Sequence, residues 1–209
     1  MGISGKAIYI LLFLFQSLAA LAQNDLFEVQ KVNVGDGLPH RSSYGITQDL
    51  SGFIWISTPG GINRYDGYQV KTYNFQALKI GENAYTDLAI DINNRLWFCE
   101  RQTLNQTVKS GILDTAIDSL YSISQFSKGL FNDSDIISAR QSKTLNNVVL
   151  LATQQGAIYT YDGSFKKVFD FKKPFADPVI CDFSIDGKLL VLSGNELNMI
   201  KNGRKVAKP

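Results

Sequence analysis

Histidine is nearly missing from this 209-residue chain: His40 is the single one. A metal site built on a histidine cluster and a two-histidine proton relay are both excluded, because each needs a second imidazole. No Gly-x-Ser-x-Gly elbow is present to expose a nucleophilic serine. The glycines of Pro59-Gly60-Gly61 lead into a β-type run and not a helix N-terminus, so they form no phosphate cradle. Cysteine occurs twice, which excludes a disulfide-dense scaffold. Cys99 and Cys181 fall in separate segments, and two buried thiols are favoured over one bridge. A one-signed charge is missing as well. Lys and Arg total 21 against 19 Asp and Glu, which gives no field for nucleic acid. No amphipathic helical run is found, so the class is all-β.

What is present begins with an export signal. Lys6 stands in a short n-region, Ala7–Phe15 is an uninterrupted apolar run, and Ala20-Leu21-Ala22 offers a small-residue cleavage site. Residues 1–22 therefore read as a signal peptide, with a retained N-terminal anchor as the alternative, and residues 23–209 as the exported chain. Phe27–Val34 alternates and reads as a strand that begins the domain.

The stretch Gly37–Phe75 organises the rest. Strand-type runs at Tyr44–Gln48, Phe53–Thr58, Ile62–Tyr65 and Tyr68–Tyr73 are separated by Asp49-Leu50-Ser51-Gly52, Pro59-Gly60-Gly61 and Asp66-Gly67. Glycine supplies the positive φ that tight hairpins need, and Asp and Ser bond their own backbone there. About forty residues thus spell a four-stranded antiparallel meander. The pattern recurs. Asp91 to Trp97 repeats the spacing of Asp49 to Trp55. Gly156-Ala157-Ile158-Tyr159-Thr160-Tyr161-Asp162-Gly163 echoes Gly61 to Gly67 with one residue inserted, and Asp186–Ser193 echoes the second strand with Leu190 at the place of Trp55. Repeats of forty-odd residues with four strands each predict β-propeller blades, three recognisable and a fourth degenerate.

Gly37-Leu38-Pro39, Ile46–Thr58 and Gly60–Gly67 together resemble the two-component regulator propeller repeat, and the likeness covers most of the chain beyond the N-terminus. That repeat builds the periplasmic sensor region of Bacteroidetes hybrid two-component histidine kinases. The resemblance implies an incomplete, N-terminal portion of a seven-bladed propeller. It also implies a periplasmic, non-enzymatic domain that recognises an oligosaccharide or other small ligand. In a full-length relative this domain would form a homodimer coupled to transmembrane and kinase domains. No cofactor is implied. A secreted propeller enzyme acting on polysaccharide, and a non-signalling scaffold, are the alternatives. The spacing Asp49-x-x-Gly52 with Trp55 three further on departs from sialidase-type Asp boxes.

Among the repeat residues, Asp49 and Asp91 fit hairpin turns better than a catalytic carboxylate pair, because they recur at one place in the repeat. Trp55 and Trp97 fit blade packing better than sugar platforms. Gly52, Gly61, Tyr65, Asp66, Gly67, Gly156, Tyr161, Asp162 and Gly163 complete the structural motif. For recognition the candidates are His40 and Arg41. They lie in the connection Gly37–Ser43, where the corresponding third-repeat segment has Asn132 and Asp133. Arg41 offers a planar fork of donors for a carboxylate or sugar hydroxyls. The polar insertion Arg101–Ser110 is expected to project from one end of its blade.

Overall fold

The computed structural model describes residues 30–73, 85–100, 110–176 and 179–206, and the fold lies within Asn33–Pro209. The predicted signal peptide and the insertion at 101–109 fall outside the described residues. Sixteen strands form four antiparallel sheets, each a simple meander of consecutive strands. The first holds β1 (Gly45–Gln48), β2 (Ile54–Thr58), β3 (Gly61–Tyr65) and β4 (Val70–Tyr73). The second holds β5 (Tyr85–Ile90), β6 (Arg95–Glu100), β7 (Ser110–Asp114) and β8 (Ser119–Ser122). The third holds β9 (Ile136–Gln141), β10 (Val149–Thr153), β11 (Ala157–Tyr161) and β12 (Phe165–Asp170). The degenerate repeat completes a fourth with β13 (Val179–Phe183), β14 (Leu189–Ser193), β15 (Glu196–Lys201) and β16 (Arg204–Val206). Cys181 sits inside β13, one strand ahead of β14.

The sheets stack in order and bury the faces between them, and strand alternation decides which residue faces which neighbour. Leu96 and Phe98 of β6 pack with Trp55 and Ile62 of the first sheet. Their sequence neighbours Trp97 and Cys99 turn the other way and pack with Ile136, Val149 and Leu151 of the third. Leu150, Ala152 and Ile158 then meet Val179, Leu189 and Val191 of the fourth. Three separate cores therefore lie between four blades, and the first strands β1, β5, β9 and β13 are successive neighbours. This is propeller architecture.

The turns explain why one short sequence pattern suffices. The loop between the first and second strands needs a left-handed residue in three of the four sheets at the same place. Gly52, Asn94 and Gly187 hold it with φ of 90°, 59° and 76°. Asn tolerates this conformation because its short side chain bonds locally. At Gly156 the constraint is also spatial, since a Cβ there would lie 1.8 Å from the Lys173 carbonyl oxygen.

Two local expectations fail. Gln30–Asn33 is not a strand, and Val34–Asp36 forms a 3-10 turn. Asn33 caps that turn by accepting from Gly35 N at 2.7 Å, while Asp36 accepts from Asn33 N at 2.8 Å. This reciprocal capping competes with strand pairing. The other surprise is a single helical turn, α1 (Ile123–Phe126), capped by Ser122 and Gln125 in the same reciprocal way. It places Phe126 against Trp97, Tyr161 and Phe165, with ring centroids 5.3, 5.7 and 6.3 Å apart.

Candidate functional site

The repeat motif residues form two matching polar clamps beneath buried aromatics. Asp49 Oδ1 accepts from the backbone N–H groups of Ser51 and Phe53 at 2.9 and 3.0 Å, and Oδ2 accepts from the Trp55 indole at 2.8 Å. Asp91 does the same for Asn93, Arg95 and Trp97 at 2.8, 3.0 and 2.9 Å. Both carboxylates are buried, and both oxygens of each accept from the fold, which suits a structural role. Arg95 extends the second clamp. Its Nε lies 2.9 Å from Asp91 Oδ2, its Nη2 donates to the Tyr161 hydroxyl at 2.8 Å, and its guanidinium stacks on Phe126. Burial raises the Tyr161 hydroxyl above its ordinary pKa, with Arg95 opposing the shift. The remaining motif side chains hold turns. The Tyr65 hydroxyl donates to the Gly67 carbonyl, Asp66 accepts from the backbone of Tyr68 and Gln69, and Asp162 pairs with Lys166.

His40 and Arg41 are exposed in the loop leading to the N-terminal end of β1. His40 Nδ1 accepts from Ser42 N at 2.9 Å, which shapes the loop locally. The loop is pinned from below, where Leu38 is buried and Pro39 lies against Gly60 so closely that a Cβ on that glycine would sit 2.6 Å away.

A cavity of about 470 Å³ opens elsewhere, among the first strands of all four sheets. Its apolar walls are Ile46, Leu88 and Ile180, with Cys181 beside them. Its polar wall comes from the C-terminal end of β9 and the residues after it, Arg140 to Lys143, together with Thr47 and Asp182. Strand register shows why these side chains converge. Thr47, Ala89, Arg140 and Asp182 each stand opposite the same second-strand position, occupied by Trp55, Trp97, Leu150 and Leu190. Packing repeats on the second strand, while the first strand carries four unlike residues at one register. Thr47, Arg140 and Asp182 line the cavity from this register, whereas Ala89 is buried in the core between the second and third sheets.

The charges in this cavity are held in place. Asp182 accepts from Ser142 Oγ at 2.6 Å, from Lys143 N at 3.1 Å and from its neighbour Phe183 N at 2.8 Å. Arg140 Nη2 lies 2.7 Å from Asp87 Oδ1, and Ser138 Oγ donates to the other oxygen at 2.6 Å. Arg140 Nε is buried with no acceptor. Such an orphan costs about 1–3 kcal/mol, so it is not a neutral detail. Burial pushes the Cys181 thiol up to about 12, which keeps it protonated and makes that wall unreactive. Repeat spacing alone does not point to Arg140 and Asp182. Their signal was a charge in mid-strand among small and apolar residues, at the position where Thr47 stands.

A scan of known protein families finds no matching family model. Over 64 residues the chain is 36% identical to histidine kinase P4 of Formosa agariphila, which covers 31% of this chain and 5% of that kinase. The fold is similar to the extracellular domain assigned to a hybrid two component system of B. thetaiotaomicron. There the TM-score is 0.53 and the identity 16%, over 78% of this chain and 21% of that one. It is also similar to virginiamycin B lyase of Staphylococcus aureus, with TM-score 0.53 and 17% identity over 81% of this chain and 56% of that one. The chain thus spans a small fraction of the kinase and sensor chains, and about half of the lyase. Propeller architecture is common to an extracellular sensor domain and an enzyme. Among the described residues no helix is long and apolar enough to cross a membrane.

Proposed function

We propose that this chain is part of an exported, ligand-sensing propeller of a two-component sensor histidine kinase, with recognition at the cavity among the first strands. The observation that carries the reading is the register position shared by Thr47, Arg140 and Asp182, which brings three unlike polar side chains from three blades to one cavity. The likeness to a sensor's extracellular domain and the local match to a histidine kinase support the setting.

In this reading residues 1–22 direct export to the periplasm, and the four blades belong to a larger, seven-bladed propeller. The ligand is a small oligosaccharide, and a homodimer carries the signal to kinase domains. His40 and Arg41 contribute a second contact at the N-terminal end of β1. The chain itself has no catalytic role, for its cavity carboxylate Asp182 is occupied by three donors and is poorly placed to move a proton.

A thermal-shift screen of the mature chain against glycan fragments tests the reading. Thr47→Arg, which puts a long side chain into the cavity, is expected to remove the stabilisation that a hit produces while leaving the unliganded melting temperature within a few degrees. Hits that persist undiminished in Thr47→Arg would place recognition elsewhere.

A further inference from the structure

We infer that the cavity takes a ligand carrying a carboxylate, gripped by Arg140 and Lys143. This rests on the cavity being the recognition site, and it narrows the ligand to a charge class. The negative group of the cavity is already spoken for, because Asp182 receives a hydroxyl and two backbone N–H groups. The positive groups keep donors to spare, even with Arg140 paired to Asp87. Lys143 uses only its backbone N–H on Asp182, and among the described residues its ammonium meets no carboxylate. Arg140 lies against Asp87 at Nη2 and leaves Nε without an acceptor, the one such buried side-chain atom among the described residues.

A buried polar atom without a partner calls for a physical reason. A carboxylate supplies one, since its two oxygens match the guanidinium fork and a small turn of the side chain would bring Nε to an acceptor. The apolar part of the lining, Ile46, Leu88 and Ile180, suits the apolar face of a compact ring. An acidic sugar joins both features in one molecule, and the cavity volume admits a unit of that size.

The test titrates the mature chain with glucuronate, galacturonate and N-acetylneuraminate, each beside its methyl ester, by calorimetry or saturation-transfer NMR. At least one acid is expected to bind, with its ester about tenfold weaker or worse, as a lost charge-assisted hydrogen bond requires. Binding of the acid should weaken as salt rises. Arg140→Gln should abolish it, Arg140→Lys should retain part, and Lys143→Gln, an exposed change that spares the fold, should weaken it several-fold. Melting curves identify any variant that fails to fold, and Lys143→Gln then decides. Equal binding of acid and ester, acid binding unmoved by Lys143→Gln and Arg140→Lys, or no binding by any acid would each overturn the inference. A neutral sugar whose binding survives Arg140→Lys but is lost in Thr47→Arg would leave the cavity as the site and remove only the carboxylate.

Discussion

The first two sheets and the last two solve one folding problem with different residues. In the first two, a buried tryptophan on the second strand is matched by an aspartate opening the preceding turn, Asp49 for Trp55 and Asp91 for Trp97. In the last two, the tryptophan position holds Leu150 and Leu190, and the aspartate position holds Ser142 and Ser184. Each serine still serves its turn. Ser142 Oγ accepts from Thr144 N and Leu145 N, and Ser184 Oγ accepts from Lys188 N at 3.0 Å. What the aspartate adds is a second oxygen, and that oxygen goes to the indole N–H. A buried tryptophan must satisfy its donor and a leucine has none, so carboxylate and hydroxyl follow the aromatic.

The comparison is sharpened first at Trp97, which sits among Phe126, Tyr161 and Phe165, while among the described residues Trp55 has Tyr73 as its ring partner at 5.4 Å. Trp97→Ala is expected to destabilise by about 3–5 kcal/mol, the larger loss of the two tryptophans. Chemical denaturation measures it, and a smaller loss at Trp97 than at Trp55 would show that the second core does not depend on its aromatic cluster.

Next comes the coupling itself. Asp49→Ser keeps an acceptor for the turn but strands the Trp55 indole, at a cost of about 1–3 kcal/mol. Adding Trp55→Leu makes the first sheet resemble the fourth, so the double variant should cost less than the sum of its parts. Simple additivity would break the pairing of carboxylate with indole.

How far the sequence reveals this fold follows from the same residues. Turn glycines and alternating strands are local signals, so the first meander and its recurrence down to Asp186–Ser193 were legible, whereas β13 at Val179–Phe183 was not. The 3-10 turn at Val34–Asp36 was not, because Asn33 and Asp36 cap each other where the apolar alternation suggested a strand. Helix α1 was too short for periodicity to show. The cavity was hidden for a different reason. Arg140 and Asp182 align with Thr47 only through strand pairing, and the longer turn at Gln141–Asn147 together with serine in place of aspartate obscures that alignment in the chain.

A smaller effect separates the buried thiols from solvent. Cys181 has an ordinary thiol value of 9.0 when unfolded and is pushed up to about 12 when folded, chiefly by burial. Its raised folded value means that the associated stability is complete below about pH 9 and is lost as pH rises toward about 12. Cys181→Ala should flatten that alkaline decline, and iodoacetamide should label neither cysteine until the chain unfolds, since both are free and buried. Labelling at Cys181 in the native state would show that the cavity wall opens.

The smallest effect belongs to the turn carboxylates on the surface. Lys188 holds Asp186 at about 2, yet the pair is exposed at a hairpin tip. Asp186→Asn is expected to leave the melting temperature at neutral pH unchanged, whereas a clear drop would give the fourth sheet an electrostatic clamp comparable with Asp49.

Recognition at the shared register of the first strands is the central claim, and amide chemical-shift mapping tests it most directly. On titrating the mature chain with a ligand found in the thermal-shift screen, the perturbed amides are predicted to cluster at Thr47, Arg140 to Lys143 and Asp182. Perturbations confined to the Gly37–Ser43 loop or to the outer strands, with those residues unmoved, would contradict it.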